Sequence, residues 1–399
     1  MLWRFQLKVL LLGVGKQGKA ALHDLVQSQG VTAVIAADRN LEALRVNLAD
    51  RQYGAKVRCD FVDAEDPDSI ERLMKSGVDV AIDLLPAHVC GRVAAAAVQH
   101  RVHLVNTFYT VPEVKDLTTQ AESRNVTILP EFGLDPGIDL VMLGEAVRTV
   151  DEVEEIWSYG GGIPEPVSAS NPLKYKVTWN FEGVLNSYRR TGKVIRDGTI
   201  VHIQDTEMFY PENVHQIDIE GVGRLEAFPN GDALKYAELL GIHRPKLKAL
   251  GRFALRWPGH CAFWRTLVDL HLLDSEPVMI NGVAVDRKRY LAAALEPHLQ
   301  YSADERDMVI LRTEVKGKKM NHTQRIVVQM IDRRDLQTGF TAMSRTVGYT
   351  ASIGAQMIAT GKITKRGVLT PVNDIPYADL KRELAERGIR VTSEVVCSE

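Results

Sequence analysis

Short runs of aliphatic and β-branched residues recur along the first third of the chain. They fall at Lys8–Leu12, Val31–Ala37, Lys56–Cys59, Val78–Leu84, Val102–Val105 and Val126–Leu129. Between most of them, apolar positions repeat with helical spacing, at Gly18–Gln29, Leu41–Tyr53, Pro67–Lys75, Val89–His100 and Glu113–Arg124. Apolar runs without polar alternation mark strands covered on both faces. Six such runs interleaved with five helices predict a doubly wound parallel sheet of the nucleotide-binding kind.

After Pro136 the pattern lengthens and alternates. Strands are predicted at Val153–Ser158, Lys174–Thr178, Thr199–Ile203, Ala254–Arg256, Leu267–Leu273, Met308–Lys316 and Thr323–Asp332. Turn signals stand at Gly160–Gly162, Asp197-Gly198, Pro229–Asp232 and Lys316–Lys318, and Gly160–Ser170 reads as a loop. This is the pattern of an α+β domain with a mixed sheet. From Thr341 the chain turns helical again. Thr341–Thr360 is rich in small residues and predicts a helix that packs closely, Lys365–Leu369 is turn-like, and Asp379–Arg387 is amphipathic with Gly388 as its C-cap. The expected division is 1–134, 135–340 and 341–399.

Composition narrows the function. Lys+Arg 49 against Asp+Glu 51 gives a net charge of −2, without the basic excess of a nucleic-acid binder. No apolar run reaches the roughly 18 residues of a membrane span, so no membrane partner is expected. Met1–Gly13, with Arg4 and Lys8 before Val9–Leu12, reads as a buried strand rather than a signal peptide. The four cysteines lie far apart and the 11 histidines form no ligand pattern. We therefore expect no disulfide, no metal and a reducing cytoplasm.

The candidate chemistry begins with Gly13-Val14-Gly15-Lys16-Gln17-Gly18, a GxGxxG run between a strand and a helix, the Rossmann fingerprint. Gly13 permits the tight turn, Gly15 the approach of a pyrophosphate, and Gly18 close packing of helix on strand. Lys16 and Gln17 open the helix whose amides would hold the phosphates. Asp38 follows Gly18 by 20 residues and suits the adenine ribose, which favours NAD; Arg39 beside it allows NADP. Asp63 is placed near the adenine, and Leu85 and Pro86 near the nicotinamide, because ligands bind at the carboxyl ends of such strands.

A second motif, Glu131–Asp139, follows the sixth strand. Asp135 and Pro136 suit the N-cap and first residue of a helix; equally, two flanking glycines let a ligand approach Asp135. Here a family resemblance becomes specific. Gly133–Asp139 (GLDPGID), Gly161–Trp179, Phe228–Asp232, Leu255–Gly259, Glu305–Val309 and Gly339–Gly348 are collinear with segments of the saccharopine dehydrogenase family. The chain resembles its glutamate-forming saccharopine reductase and lysine 6-dehydrogenase branch. That resemblance implies hydride transfer between nicotinamide and an imine or secondary amine of an amino acid or its conjugate. It implies C-terminal helices returning to the nucleotide-binding domain, an α+β domain for substrate and dimerisation, and a homodimer. It also implies substrate contact by Asp135 and Asn230.

The residues suggest further roles. Tyr109, at the end of the fifth strand, is a second candidate for proton transfer, or a core aromatic. Arg256 and Lys174 are candidate carboxylate anchors, or solvated charges. Asn171–Tyr175, with Asn171 and Tyr175 at its ends, could line the cleft or form a turn entering a strand. His260 reads as structural. The family has serine where this chain has Phe108, cysteine at Gly160 and arginine at Gly231. Losing a basic group there argues for a substrate different from, or smaller than, the tricarboxylate saccharopine. Lysine 6-dehydrogenase activity and a non-catalytic dinucleotide-binding role are the alternatives.

Overall fold

The computed structural model describes residues 6–242 and 247–397; Arg4 of the opening segment lies outside them. In chain order the first strands are β1 (Leu7–Leu12), β2 (Val31–Asp38), β3 (Val57–Phe61), β4 (Val80–Asp83), β5 (His103–Asn106) and β6 (Thr127–Leu129). Next come β7 (Glu152–Pro164), β8 (Gly192–Arg196), β9 (Thr199–Ile203), β10 (His215–Ile219), β11 (Gly223–Pro229) and β12 (Ala249–Arg256). The remainder are β13 (Val278–Ile280), β14 (Val283–Val285), β15 (Asp307–Lys319), β16 (His322–Arg333), β17 (Gly367–Val368) and β18 (Val391–Cys397). Two compact units result, one of residues up to 142 with 344–390, the other of 143–343 with the last strand.

The first unit holds a seven-stranded parallel sheet in the order β17-β6-β5-β4-β1-β2-β3. Strand β4 is wholly buried and so is β1 from Val9 to Leu12, as continuous aliphatic runs require. An apolar layer of Ile70, Leu73, Val93, Ala94 and Ala97 packs against Leu10, Leu12 and Ala81 on one face. Several strands end on a short polar side chain that accepts the amide two residues ahead. Asp38 takes Asn40 N–H, Asp83 takes Leu85 N–H, and Asn106 takes Phe108 N–H, at 2.9, 3.0 and 3.1 Å. Each bond turns the chain at the carboxyl end of the sheet.

The second unit is built on a mixed sheet, β10-β11-β12-β7-β15-β16-β18, with β8 and β9 joined at β12. Strand β7 runs parallel to β12 and antiparallel to β15. It continues straight through Gly160–Gly162, where a turn and loop were expected. Those glycines are packing sites: a Cβ at Gly161 would lie 2.8 Å from Leu255 Cβ, and one at Gly162 2.7 Å from Met343 Cε. Gly317 likewise sits inside β15 at a register shift, and the hairpin turns at Met320-Asn321 instead. Lys174–Thr178 forms no strand, because Asn171 takes the Leu173 and Tyr175 amides and spends them in a turn. Leu267–Leu273 is not a strand either. Cys261, Trp264 and Val268 bury one face of helix His260–Asp269, so the period there is helical.

The C-terminal segment differs in two places. Gly367–Val368 is a seventh parallel strand rather than a turn. Residues 391–397, expected among the returning helices, pair as β18 with β16, as the β-branched Val391, Thr392, Val395 and Val396 suit. Ahead of both, helix Ala342–Ala359 packs backbone to backbone within the first unit: a Cβ at Gly348 would lie 2.4 Å from the Gln17 carbonyl oxygen. One Gly354 Cβ would meet the Phe132 ring at 2.6 Å. Small residues are what this helix requires.

A buried polar cluster ties the same segment to the first helix (Lys16–Gln27). Asp24 accepts Arg387 Nε at 2.6 Å, Ser352 Oγ at 2.6 Å and Gln356 Nε2 at 3.3 Å. Arg387 also donates to Glu383 Oε2 at 2.9 Å. Breaking a buried pair leaves the surviving charge poorly compensated. Asp24→Ala should therefore cost about 3 kcal/mol in urea-unfolding free energy. A loss below about 1 kcal/mol, the scale of an exposed pair, would contradict this.

Candidate functional site

The glycine turn of the first unit is fixed by contact. Gly13 has φ +86°, and a Cβ there would lie 2.6 Å from the Leu84 carbonyl oxygen. A Cβ at Gly18 would lie 2.1 Å from the Gly13 oxygen, so helix and strand meet with no side chain between them. Gly15 differs: a Cβ there would meet nothing within 4 Å. Packing does not need a glycine at that position, whereas a phosphate lying on the backbone does. The helix that follows begins without a side-chain cap and without an acid in its first turn. Its first amides and positive end suit an anion. Val14 is buried, Lys16 exposed and Gln17 half-buried.

Asp38 is more occupied than the sequence indicates. Its Oδ2 accepts Val14 N–H at 2.7 Å, and its Oδ1 the Asn40 N–H. It clamps the glycine turn to the end of β2, with lone pairs still available to a ribose. Arg39 is exposed beside it. Asp63 turns the chain after the edge strand β3, accepting Glu65 N–H at 3.1 Å. Leu85 is buried and Pro86 exposed at the end of β4, next to the Gly13 turn.

Tyr109 and Asp135 come together. The Tyr109 hydroxyl donates to Asp135 Oδ1 at 3.5 Å, a long bond of the sort that tightens when a ligand arrives. Tyr109 is 40% exposed, so it is not a core aromatic. Glu131 holds this loop pair: its N–H donates to Phe108 O at 3.0 Å and its Oε1 accepts Thr110 N–H at 3.0 Å. Phe108 packs against the apolar core of the unit.

Asp135 is not a helix N-cap. The Asp135–Pro136 peptide is cis and the helix begins only at Ile138. The loop closes on itself first, with Gly133 N–H donating to Pro136 O at 3.0 Å. A Cβ at Gly137 would lie 2.2 Å from the Gly133 oxygen, so Gly137 is sterically required, and one at Gly133 would press on the Thr107 side chain at 3.1 Å. The buried Asp139 accepts Gly137 N–H at 2.7 Å and fixes the loop from below. Burial, reinforced by Glu131, pushes its carboxyl up to about 7 against that hydrogen bond.

In the second unit the expected residues separate into two groups. Asn171 is consumed by its turn, donating to Tyr175 O at 2.7 Å, and Lys174 is exposed. Asn230 follows β11 and is tied through its N–H to Arg252 O at 2.8 Å. Arg256, by contrast, is 8% exposed and makes no ion pair among the described residues. Its Nη1 donates to Leu255 O at 2.8 Å, while Nε has no partner. The guanidinium lies over Tyr175, 5.2 Å from the ring centre, and 5.9 Å from that of Phe228. Beneath it Tyr188 Oη and His260 Nε2 hydrogen-bond at 2.8 Å. Burial, with Arg256, holds His260 well below its usual range, so it is neutral and structural.

Two groups here leave no trace in the sequence: Trp264 Nε1 and Tyr301 Oη are buried donors with no partner among the described residues. Nothing in their spacing marks them; only the tertiary fold gathers them. A buried cation without a counter-ion is costly, and its chemistry suits a carboxylate. Among the described residues no group of metal-ligating side chains occurs, and no helix is long and apolar enough to cross a membrane.

Comparison with known proteins gives the lineage. The family pattern described as "Saccharopine dehydrogenase NADP binding domain" matches residues 9–129, and "Saccharopine dehydrogenase C-terminal domain" matches residues 133–389. The chain is 27% identical to "Saccharopine dehydrogenase [NADP(+), L-glutamate-forming]" of Pyricularia oryzae, covering 97% of this chain and 99% of that protein. It is 25% identical to the mitochondrial alpha-aminoadipic semialdehyde synthase of Bos taurus over 97% of this chain. It spans only 48% of the bovine protein and 38% of an Arabidopsis thaliana relative of that name. The fold matches apo saccharopine dehydrogenase (L-Glu forming) from Saccharomyces cerevisiae with a TM-score of 0.85 and 24% identity, over 98% of this chain and 99% of that one. Matched in order by both patterns, from the first strand to the last helices, the chain belongs to the saccharopine dehydrogenase family.

Proposed function

We propose that this protein is an NADP(H)-dependent oxidoreductase acting at the carbon–nitrogen bond of an amino-acid conjugate, with saccharopine as substrate. The observation that carries the reading is the end-to-end match to the glutamate-forming, NADP-named relative. The residues fit it. The Gly13–Gly18 turn and uncapped helix suit the pyrophosphate, and exposed Arg39 suits a 2′-phosphate. Asp38 is the feature that favours NAD, and its engagement with two backbone amides moderates its repulsion of that phosphate. The bound nicotinamide supplies the hydride acceptor.

On the protein side, amine oxidation requires a proton to leave nitrogen first. We assign that proton to Asp135, with Tyr109 holding its carboxylate oriented. Arg256 is assigned to a substrate carboxylate and Asn230 to a neighbouring polar contact. Asn171, Lys174 and Tyr175 shape the approach, Tyr175 by supporting the Arg256 guanidinium. A cytoplasmic homodimer belongs to the same reading. Free Cys59, Cys90 and Cys261 support a reducing compartment, and the apolar hairpin β13–β14, with Met279, Ile280 and Val283 exposed, supports a second copy.

The direct test is coenzyme reduction by saccharopine at about pH 9.5, where amines begin to deprotonate, with NADP+ and NAD+ in parallel. Glutamate should form, faster with NADP+. Turnover of lysine alone, or of no amine, would contradict the assignment. Asp135→Asn should lower kcat by roughly 100-fold, the scale of acid–base catalysis, while the unfolding temperature holds. Undiminished turnover would remove Asp135 from the chemistry.

A further inference from the structure

Asp83 ends β4 with its side chain wholly buried. Its Oδ1 turns the chain by accepting Leu85 N–H; its Oδ2 has no hydrogen-bond partner among the described residues. The turn itself needs no charge, because Asn106 ends the neighbouring strand β5 with the same bond. At the end of β2, Asp38 spends its second oxygen on Val14 N–H. Of these three strand ends, Asp83 keeps an ionisable group with a buried, unpaired oxygen, an arrangement that costs stability.

Its position gives that cost a use. β4 and β1 adjoin where the strand order reverses, and in open parallel sheets ligands bind outside the carboxyl ends at that point. The segment that Asp83 turns is the one whose Leu84 oxygen abuts Gly13. On the dinucleotide reading above, on which this inference rests, Leu85 and Pro86 flank the nicotinamide. The oxidised ring carries a positive charge and the reduced ring does not. We propose that Asp83 is the buried charge partner of the oxidised nicotinamide, ionised when that ring lies at the strand end and protonated when the reduced ring does.

Burial pushes the Asp83 carboxyl up to about 7 against the Leu85 hydrogen bond, so both forms lie within reach near neutrality. The titratable group facing it is the Cys90 thiol, which starts helix Cys90–His100. Burial and then Asp83 raise that thiol, and Glu113 from helix Pro112–Lys115 acts on it in turn. The sign follows. An acid with a raised pKa keeps its proton until the pH passes that value, and a nearby positive ring expels it earlier. Affinity for NADP+ relative to NADPH therefore rises with pH.

The test measures Kd for NADP+ and NADPH over roughly pH 5.5–8.5 in the wild-type protein and in Asp83→Asn, which keeps the turn. Both coenzymes carry the same phosphates, so the ratio of the two constants cancels their ionisation. The wild-type ratio should move by up to about tenfold per pH unit, the slope for one proton, and the variant ratio should stay flat. A flat wild-type ratio, or an equal slope in the variant, overturns the proposal. Should the variant not fold, calorimetry of the wild-type protein in two buffers of different ionisation enthalpy decides: proton release with NADP+ exceeding that with NADPH supports it, and equal release overturns it. Failure of both coenzymes to bind would instead remove the dinucleotide reading, and this inference with it.

Discussion

The absence of a side chain at Gly18 governs the first unit. A Cβ there would sit 2.1 Å from the Gly13 carbonyl oxygen, inside any allowed contact. Strand, turn and helix are therefore in backbone contact, and the helix starts directly above the end of β1. Gly13 extends the constraint to the Leu84 carbonyl, so the turn and the end of β4 fix one another. Gly348 and Gly354 repeat the device from the C-terminal helix. A parallel sheet whose strands end in bonds from Asp38, Asp83 and Asn106 then has its carboxyl edge shaped by backbone and short polar groups. An anion can reach helix amides there without displacing side chains.

Much of this was legible in the sequence, for physical reasons. Strands buried on both faces leave uninterrupted aliphatic runs, and GxGxxG between a strand and a helix has few other uses. The second unit was harder to read because glycine has two meanings. At Asp197-Gly198 it marks a turn, with both residues at positive φ. At Gly161 and Gly162 it marks a neighbour's close approach inside a strand. Sequence alone does not separate these. Nor does it show that Asn171 spends its side chain on a turn, or that the apolar run after Leu267 continues a helical face begun at Cys261.

The site residues divide the same way. Asp135 and Tyr109 lie 26 positions apart and meet because two strand-end loops are bonded to each other through Glu131. Asp135 looked equally suited to capping a helix, and the glycine-closed loop excludes that role. Arg256 stood out in sequence as a lone basic residue, ordinarily a surface charge. Its meaning comes from burial among Tyr175, Phe228 and Tyr188 with no acid paired to it among the described residues. Such an arrangement does little to stabilise a fold, and it suits a ligand that brings its own negative charge.

That claim is tested most directly by replacing the guanidinium with an apolar side chain of similar length. Saccharopine is titrated calorimetrically into wild-type and Arg256→Met protein, each saturated with NADPH, and thermal unfolding of both is recorded. Affinity should weaken by more than about tenfold, with an unfolding temperature equal to or above that of the wild type. Unchanged affinity together with a lower unfolding temperature would show that Arg256 serves the fold and not the substrate.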